Sequence, residues 1–292
     1  MTGEVRDRAA RVIARDLSFP EGPLFDAQGN LWCVEMKGGG LARLDRAGGL
    51  TRFKTGGAPN GLALDSAGGL WFCDSGEDSI RRFNPTTEVC ETIVRSVDGH
   101  DLNKPNDLAF DAAGNLLFTC PGNSREEPTG YVCCLTPSGE CTVIADGLYF
   151  PNGLALTADG GLIVAETRRQ RLWRGGWNPQ ARRWLSPTHL CATAGAPIGP
   201  DGIAIDIAGR IHVAIYSGGM VEVFGADGQR LGALSTPGAS PTNCAFDSTG
   251  DLGLVVTEAE RGEILSFTAD AVGLPLALGA PPLQSAERAH VD

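Results

Sequence analysis

Phe150-Pro151-Asn152-Gly153-Leu154-Ala155-Leu156 is written, with small changes, five more times in this chain. The other copies begin Pro20-Glu21-Gly22, Pro59-Asn60-Gly61, Pro105-Asn106-Asp107, Pro200-Asp201-Gly202 and Pro241-Thr242-Asn243. Each runs through an apolar alternation into a turn and a second apolar run. Asn60-Gly61-Leu62-Ala63-Leu64-Asp65, for example, leads through Gly68-Gly69 to Leu70-Trp71-Phe72. The prolines stand 39, 46, 46, 49 and 41 residues apart. A period in the forties with several short strands per period marks a propeller blade. Six copies therefore predict an all-β, six-bladed β-propeller with four antiparallel strands per blade. It forms one domain over residues 1–292, with repeats starting near 20, 59, 105, 151, 200 and 241.

The bulk properties agree. The chain's 292 residues exceed what one compact core usually fills. A ring of blades removes that difficulty, because each blade packs only on its neighbours. The 40 glycines and the Asp/Gly turns fit a β reading. No run of eighteen apolar residues is present, so no membrane-spanning helix is expected. The N-terminus, Met1 to Arg8, has mixed charge and no apolar segment, unlike a secretory signal. A net charge of −11 argues against a nucleic-acid partner and for a self-repelling soluble surface. A monomer or weak homodimer is expected. Nine cysteines is an odd number, and the adjacent Cys133-Cys134 suits no ordinary disulfide framework, which points to a reducing, cytoplasmic setting.

Arg11-Val12-Ile13-Ala14 before Phe19-Pro20 parallels Thr142-Val143-Ile144-Ala145 before Phe150-Pro151. The latter should be the outermost strand of the preceding blade. The N-terminal strand is then expected to complete the last blade and close the ring, removing two open edges. For the second blade the strands should lie near 61–65, 70–74, 79–83 and 91–95. The polar connections 96–104 and 121–130 are long enough to suggest the working face. The tail after Phe267 should wrap the outside or fray.

Inner strands of a propeller line a central channel, so the residues that follow the six prolines should form a ring at one mouth. They are Glu21, Asn60, Asn106, Asn152, Asp201 and Thr242, and all carry a side-chain oxygen. Converging oxygens suit a hard divalent cation. Without one, Glu21 and Asp201 would repel and one would stay protonated. Asn-Gly and Asp-Gly are also ordinary turn dipeptides, but turn chemistry requires neither Glu21 nor Thr242 in that slot. The ends of the second strands, Glu35, Asp74, Cys120, Glu166, Tyr216 and Glu258, should form another ring near the same mouth. Cys120 and Tyr216 suit a pocket wall, and Asp74 and Glu258 equally suit a solvated rim. His212, within an apolar run, reads as a core residue, whereas His100 lies in a long loop beside the mouth. No Gly-x-Ser-x-Gly elbow supports a serine nucleophile.

At these residues the chain resembles the senescence marker protein/gluconolactonase/luciferin-regenerating-enzyme family over about 18 to 267. The matching motifs are Pro20-Glu21-Gly22-Pro23, Asn103-Lys104-Pro105-Asn106-Asp107, Phe150-Pro151-Asn152-Gly153, Val164-Ala165-Glu166-Thr167 and Pro200-Asp201-Gly202. The resemblance implies a divalent-metal-dependent hydrolase that opens a sugar lactone, an aldono-1,4- or 1,5-lactone, to the aldonic acid. It implies metal ligands at Glu21, Asn152 and Asp201. The residue matching Asn106 binds metal directly in some relatives and lies near substrate in sugar lactonases. The cation would be Ca²⁺, Mn²⁺, Mg²⁺, Zn²⁺ or Fe²⁺, polarising the carbonyl. Asp201 would activate water, or would only orient a hydroxide on the cation, since a carboxylate bound to a dication is a poor base. Lys104, Asn106, Asn60 and Glu166 are the expected substrate-binding residues. Many sugar lactonases carry arginine at the position of Lys104, and lysine cannot make arginine's bidentate fork. Two other readings remain open: an organophosphate or aryl-ester hydrolase on the same metal, and a non-catalytic binding propeller.

Overall fold

Inner strands that start near a proline and, in five of the six blades, run into an aspartate set the architecture. The computed structural model describes residues 8–282. Six four-stranded antiparallel sheets stand around one axis, five of them in the order inner to outer along the chain. The second blade is Pro59–Leu64, Leu70–Asp74, Ser79–Phe83 and Cys90–Val94, within a residue or two of expectation. Six buried apolar clusters occupy the six gaps between neighbouring blades. Trp71 and Ile80 of blade 2, for example, pack with Leu108, Phe110 and Phe118 of blade 3. Arg11–Ala14 pairs antiparallel with Glu263–Phe267, so the N-terminal strand closes the ring as anticipated. A single 3-10 turn, Thr167–Arg169, is the only helical element among the described residues. No helix there is long and apolar enough to cross a membrane.

One carboxylate motif closes most of the turns between first and second strands. Asp65 Oδ1 accepts from the Ala67 and Gly69 N–H groups, while Oδ2 takes the Trp71 indole N–H and the Arg82 guanidinium. Asp26, Asp111 and Asp206 repeat the pattern with Trp32, Asn115 and His212 as partners. His212 is thus a buried core residue held to Asp206 through Nε2. Threonines tie neighbouring blades together. Thr119 donates to the Asn152 carbonyl, Thr167 to Pro200 and Thr242 to Pro20.

The tail departs from expectation. It neither frays nor wraps the outside through residue 279. It crosses the face opposite the prolines, bridging Asp206 to Gly273 and Asp65 to Gly279. The connection 96–104 is not irregular either. It contains a small hairpin, Ser96–Val97 with His100–Asp101, packed on the outermost strand of blade 3.

Asp65→Ala would leave a buried indole N–H and two backbone N–H groups unpartnered, and the Arg82 guanidinium with only its 3.4 Å contact to Glu91. Breaking a buried pair from one side costs about 3–5 kcal/mol, and urea unfolding should show a loss of that size. Burial alone would raise the Asp65 pKa, but the Arg82, Trp71 and Gly69 donors outweigh it and hold the value below 3.8. Its proton-linked contribution is therefore complete above about pH 4 and is lost as pH falls through the folded value. Asp65→Asn should show a correspondingly shallower acid limb.

Candidate active site

Five of the six inner strands start with a local break in register just after the proline, as between Glu21 and Leu24 or between Asn60 and Leu62. Such bulges re-aim side chains. Here they turn the post-proline residues toward the axis. Glu21, Asn60, Asn152 and Asp201 all lie there, each between 4 and 6% exposed. Asn152 hydrogen-bonds Asp201, and Glu21 accepts from the Gly22 N–H at 2.9 Å. Asn106 is half-buried, and its neighbour Lys104 donates to the Asn123 side-chain oxygen Oδ1 at 3.1 Å.

Two further residues complete the ring, and proline-based alignment of the repeats misses both. Asp107 and Asn243 come from blades 3 and 6, on opposite sides of the axis. The Asn243 amide donates to Asp107 Oδ2 at 3.2 Å across it, and also bonds Glu21. Their presence depends on glycine elsewhere. A Cβ on Gly61 would stand 2.5 Å from the Asp107 carboxylate, and one on Gly202 would collide with the Asn243 side chain. The signal was in the sequence. The slot two residues after the proline is glycine at Gly22, Gly61, Gly153 and Gly202, but Asp107 and Asn243 in the other two blades.

Other expected site residues lie elsewhere. Thr242 is fully buried and its hydroxyl is committed to the Pro20 carbonyl. Glu166 is fully buried, and its carboxylate is consumed by the Tyr149 N–H, the Arg171 guanidinium and the Trp173 indole. It therefore has no oxygen to offer a substrate, contrary to expectation. Glu35, Asp74 and Glu258 do the same work in their blades. They accept from the Ser18, Ala58 and Ser240 N–H groups and fix the chain just before each proline. Asp74 and Glu258 are thus buried clamps and not a solvated rim. His100 is carried to the circumference by its hairpin. Tyr216 does reach the mouth. Burial raises its pKa, and the charges of Asp201 and Glu21 add to the rise.

The electrostatics distinguish the axis from the rest of the molecule. Seven buried carboxylates, Glu35, Asp65, Asp74, Glu166, Asp206, Glu222 and Glu263, each have an arginine. Asp111, Asp247 and Glu258 are saturated by at least three donors apiece. Glu21, Asp107 and Asp201 have no basic partner among the described residues and only one or two hydrogen bonds each. Burial, then repulsion from Asp107, pushes Glu21 up to about 8. Burial pushes Asp107 to about 6. Burial, with Glu21 and Asp107 beside it, raises Asp201 as well. Three acceptor-only groups short of positive charge fit a divalent cation. No three His, Cys, Asp or Glu side chains among the described residues cluster tightly enough to hold one alone. The Asn152 and Asn106 carbonyls would therefore belong to the ligand set.

The fold and site define a six-bladed propeller with an oxygen-lined axial centre. Residues 19–260 match the model of the SMP-30/gluconolactonase/LRE-like region, and the chain belongs to that family. The gluconolactonase of Zymomonas mobilis is 29% identical over 82% of this chain and 76% of its own. Diisopropyl-fluorophosphatase of Loligo vulgaris is 27% identical over 87% of this chain and 90% of its own. The solved structure of a gluconolactonase from Xanthomonas campestris superimposes with a TM-score of 0.79 at 26% identity, covering 94% of this chain and 92% of that one.

A ligand that binds only the folded state at 100 times its Kd stabilises it by about 2.7 kcal/mol. Protein stripped with a chelator should therefore melt at a higher temperature when Ca²⁺ or Mn²⁺ is added. Glu21→Gln and Asp201→Asn should lose most of that rise. A melting temperature indifferent to every dication would contradict the assignment.

Proposed function

We propose that the protein is a divalent-cation-dependent lactonase that opens an aldono-1,4- or 1,5-lactone to the aldonic acid. The observation that carries this reading is the set of three buried axial carboxylates without a counterion, in a chain of this family. Glu21, Asn152 and Asp201 would hold the cation, with Asn106 as a fourth oxygen donor. When bound, the cation supplies Lewis-acid polarisation of the lactone carbonyl. Asp201, oriented by the Asn152 amide, accepts a proton from the attacking water. The ring C–O bond then breaks, and the departing oxygen takes that proton to become a hydroxyl. Asn60 and Lys104 hold the sugar hydroxyls.

The Asp107–Asn243 hydrogen bond spans the axis beneath the mouth, which favours entry of substrate and exit of product on the proline side. Nine cysteines, those in the blades all free thiols, support a reducing, cytoplasmic location. Identity to diisopropyl-fluorophosphatase favours a second reading, phosphotriester hydrolysis on the same residues.

Positioned acid–base catalysis contributes about 10²- to 10⁴-fold. Asp201→Asn should lower kcat on a sugar lactone by at least the smaller factor, followed in a pH-stat with Ca²⁺, Mn²⁺, Mg²⁺, Zn²⁺ or Fe²⁺ present. A kcat/KM higher for a phosphotriester than for any aldonolactone would give the assignment to the second reading. Full activity in Asp201→Asn would remove the aspartate from the chemistry.

A further inference from the structure

Three residues that immediately precede inner-strand prolines have left-handed backbone: Phe19 at φ 61°, Lys104 at φ 49° and Phe150 at φ 57°. That conformation is costly for a bulky residue, and a following proline disfavours the α region further. Glycine would relieve it, and blade 5 has Gly199 in the same slot. Strain of this kind tends to collect where a side chain is needed. Here it lifts two aromatic rings and an ammonium to the lip of the channel. Phe19 precedes the strand of Glu21, and Phe150 precedes that of Asn152.

Each ring carries a cation. Lys37 Nζ stands 4.7 Å from the Phe19 ring centre, and the Arg125 guanidinium 5.7 Å from that of Phe150. The turn that holds Lys37 is fastened to the lip by the Met36 N–H on the Phe19 carbonyl, and Met36 sulfur lies 3.9 Å from the Asn60 amide in the pocket. The loop that holds Arg125 is fastened by the Phe150 N–H on the Ser124 hydroxyl. Neither cation has a carboxylate within ion-pair distance among the described residues, whereas most arginines of the blades do. Unpaired cations at this mouth of a chain with net charge −11 focus anions there.

We propose, resting on the lactonase reading, that the substrate is a lactone bearing a second, negatively charged group, a carboxylate or a phosphate, drawn to the lip by the charges of Lys37 and Arg125. Its ester end then faces the axial ring and its charged end faces the lip. Phe19 and Phe150 pack against the sugar face between them. The three axial carboxylates reinforce this orientation by repelling the charged end.

The test compares three probes on the full chain with the preferred dication: an aldono-1,5-lactone, its C6 carboxylate analogue and its C6 phosphate ester. For one charged probe kcat/KM should exceed that of the neutral lactone by about tenfold or more at low salt. That advantage should shrink several-fold between about 20 and about 200 mM salt. Lys37→Gln with Arg125→Gln should bring the charged-to-neutral ratio to within about twofold of one, while Lys37→Arg with Arg125→Lys retains it. Both sites are exposed, and a melting curve checks that the variants fold. Faster turnover of the neutral lactone, or a ratio unmoved by the double glutamine variant, overturns the proposal and leaves the lactonase reading standing. Turnover of none of the three overturns both.

Discussion

Buried negative charge without a counterion is the constraint around which this molecule is arranged. Moving a carboxylate out of water is expensive unless donors or cations replace the solvent. Around the blades every buried carboxylate has that replacement, from arginine, indole or backbone N–H groups. On the axis Glu21, Asp107 and Asp201 do not; burial raises the pKa of all three, and the Asp107 charge adds to the rise of Glu21 and Asp201. A chain that satisfies its peripheral acids so consistently leaves these three open to a ligand of opposite charge.

The propeller makes such a centre accessible through repetition. Prolines start the inner strands, buried clamps such as Glu35 and Glu166 fix the chain ahead of them, and early bulges aim the next residues at the axis. Close approach then becomes a matter of side-chain size. Gly61 and Gly202 leave the space that Asp107 and Asn243 fill, and their hydrogen bond spans opposite blades beneath the mouth. The tail crosses the far face from blade 5 to blade 2. Together these features leave a single working end, with strained aromatic residues and unpaired cations at its lip.

Repetition also made much of this legible from residues alone. Six spaced Pro-x-x copies predicted the blade number, the strand limits of blade 2 and the axial placement of Glu21, Asn60, Asn152 and Asp201. The N-terminal closure followed from matching Arg11–Ala14 to an outer strand. What escaped was whatever repeats with variation. Aligning on proline put Thr242 in the ring, whereas its hydroxyl is taken by Pro20 and the next residue points inward. Glu166 looked like a pocket residue because its strand ends at the mouth. Nothing in its sequence context revealed that Arg171, Trp173 and Tyr149 would occupy its oxygens. The tail's path depended on contacts with Phe110 and Phe246, far away along the chain.

The central claim is that one cation sits on the axis between Glu21, Asn152 and Asp201. Anomalous diffraction from a crystal soaked in Mn²⁺ tests it most directly. The account predicts a single strong peak within bonding distance of those three side chains, above the Asp107–Asn243 pair. A map with no axial peak, or with its manganese bound only at the surface, would contradict it.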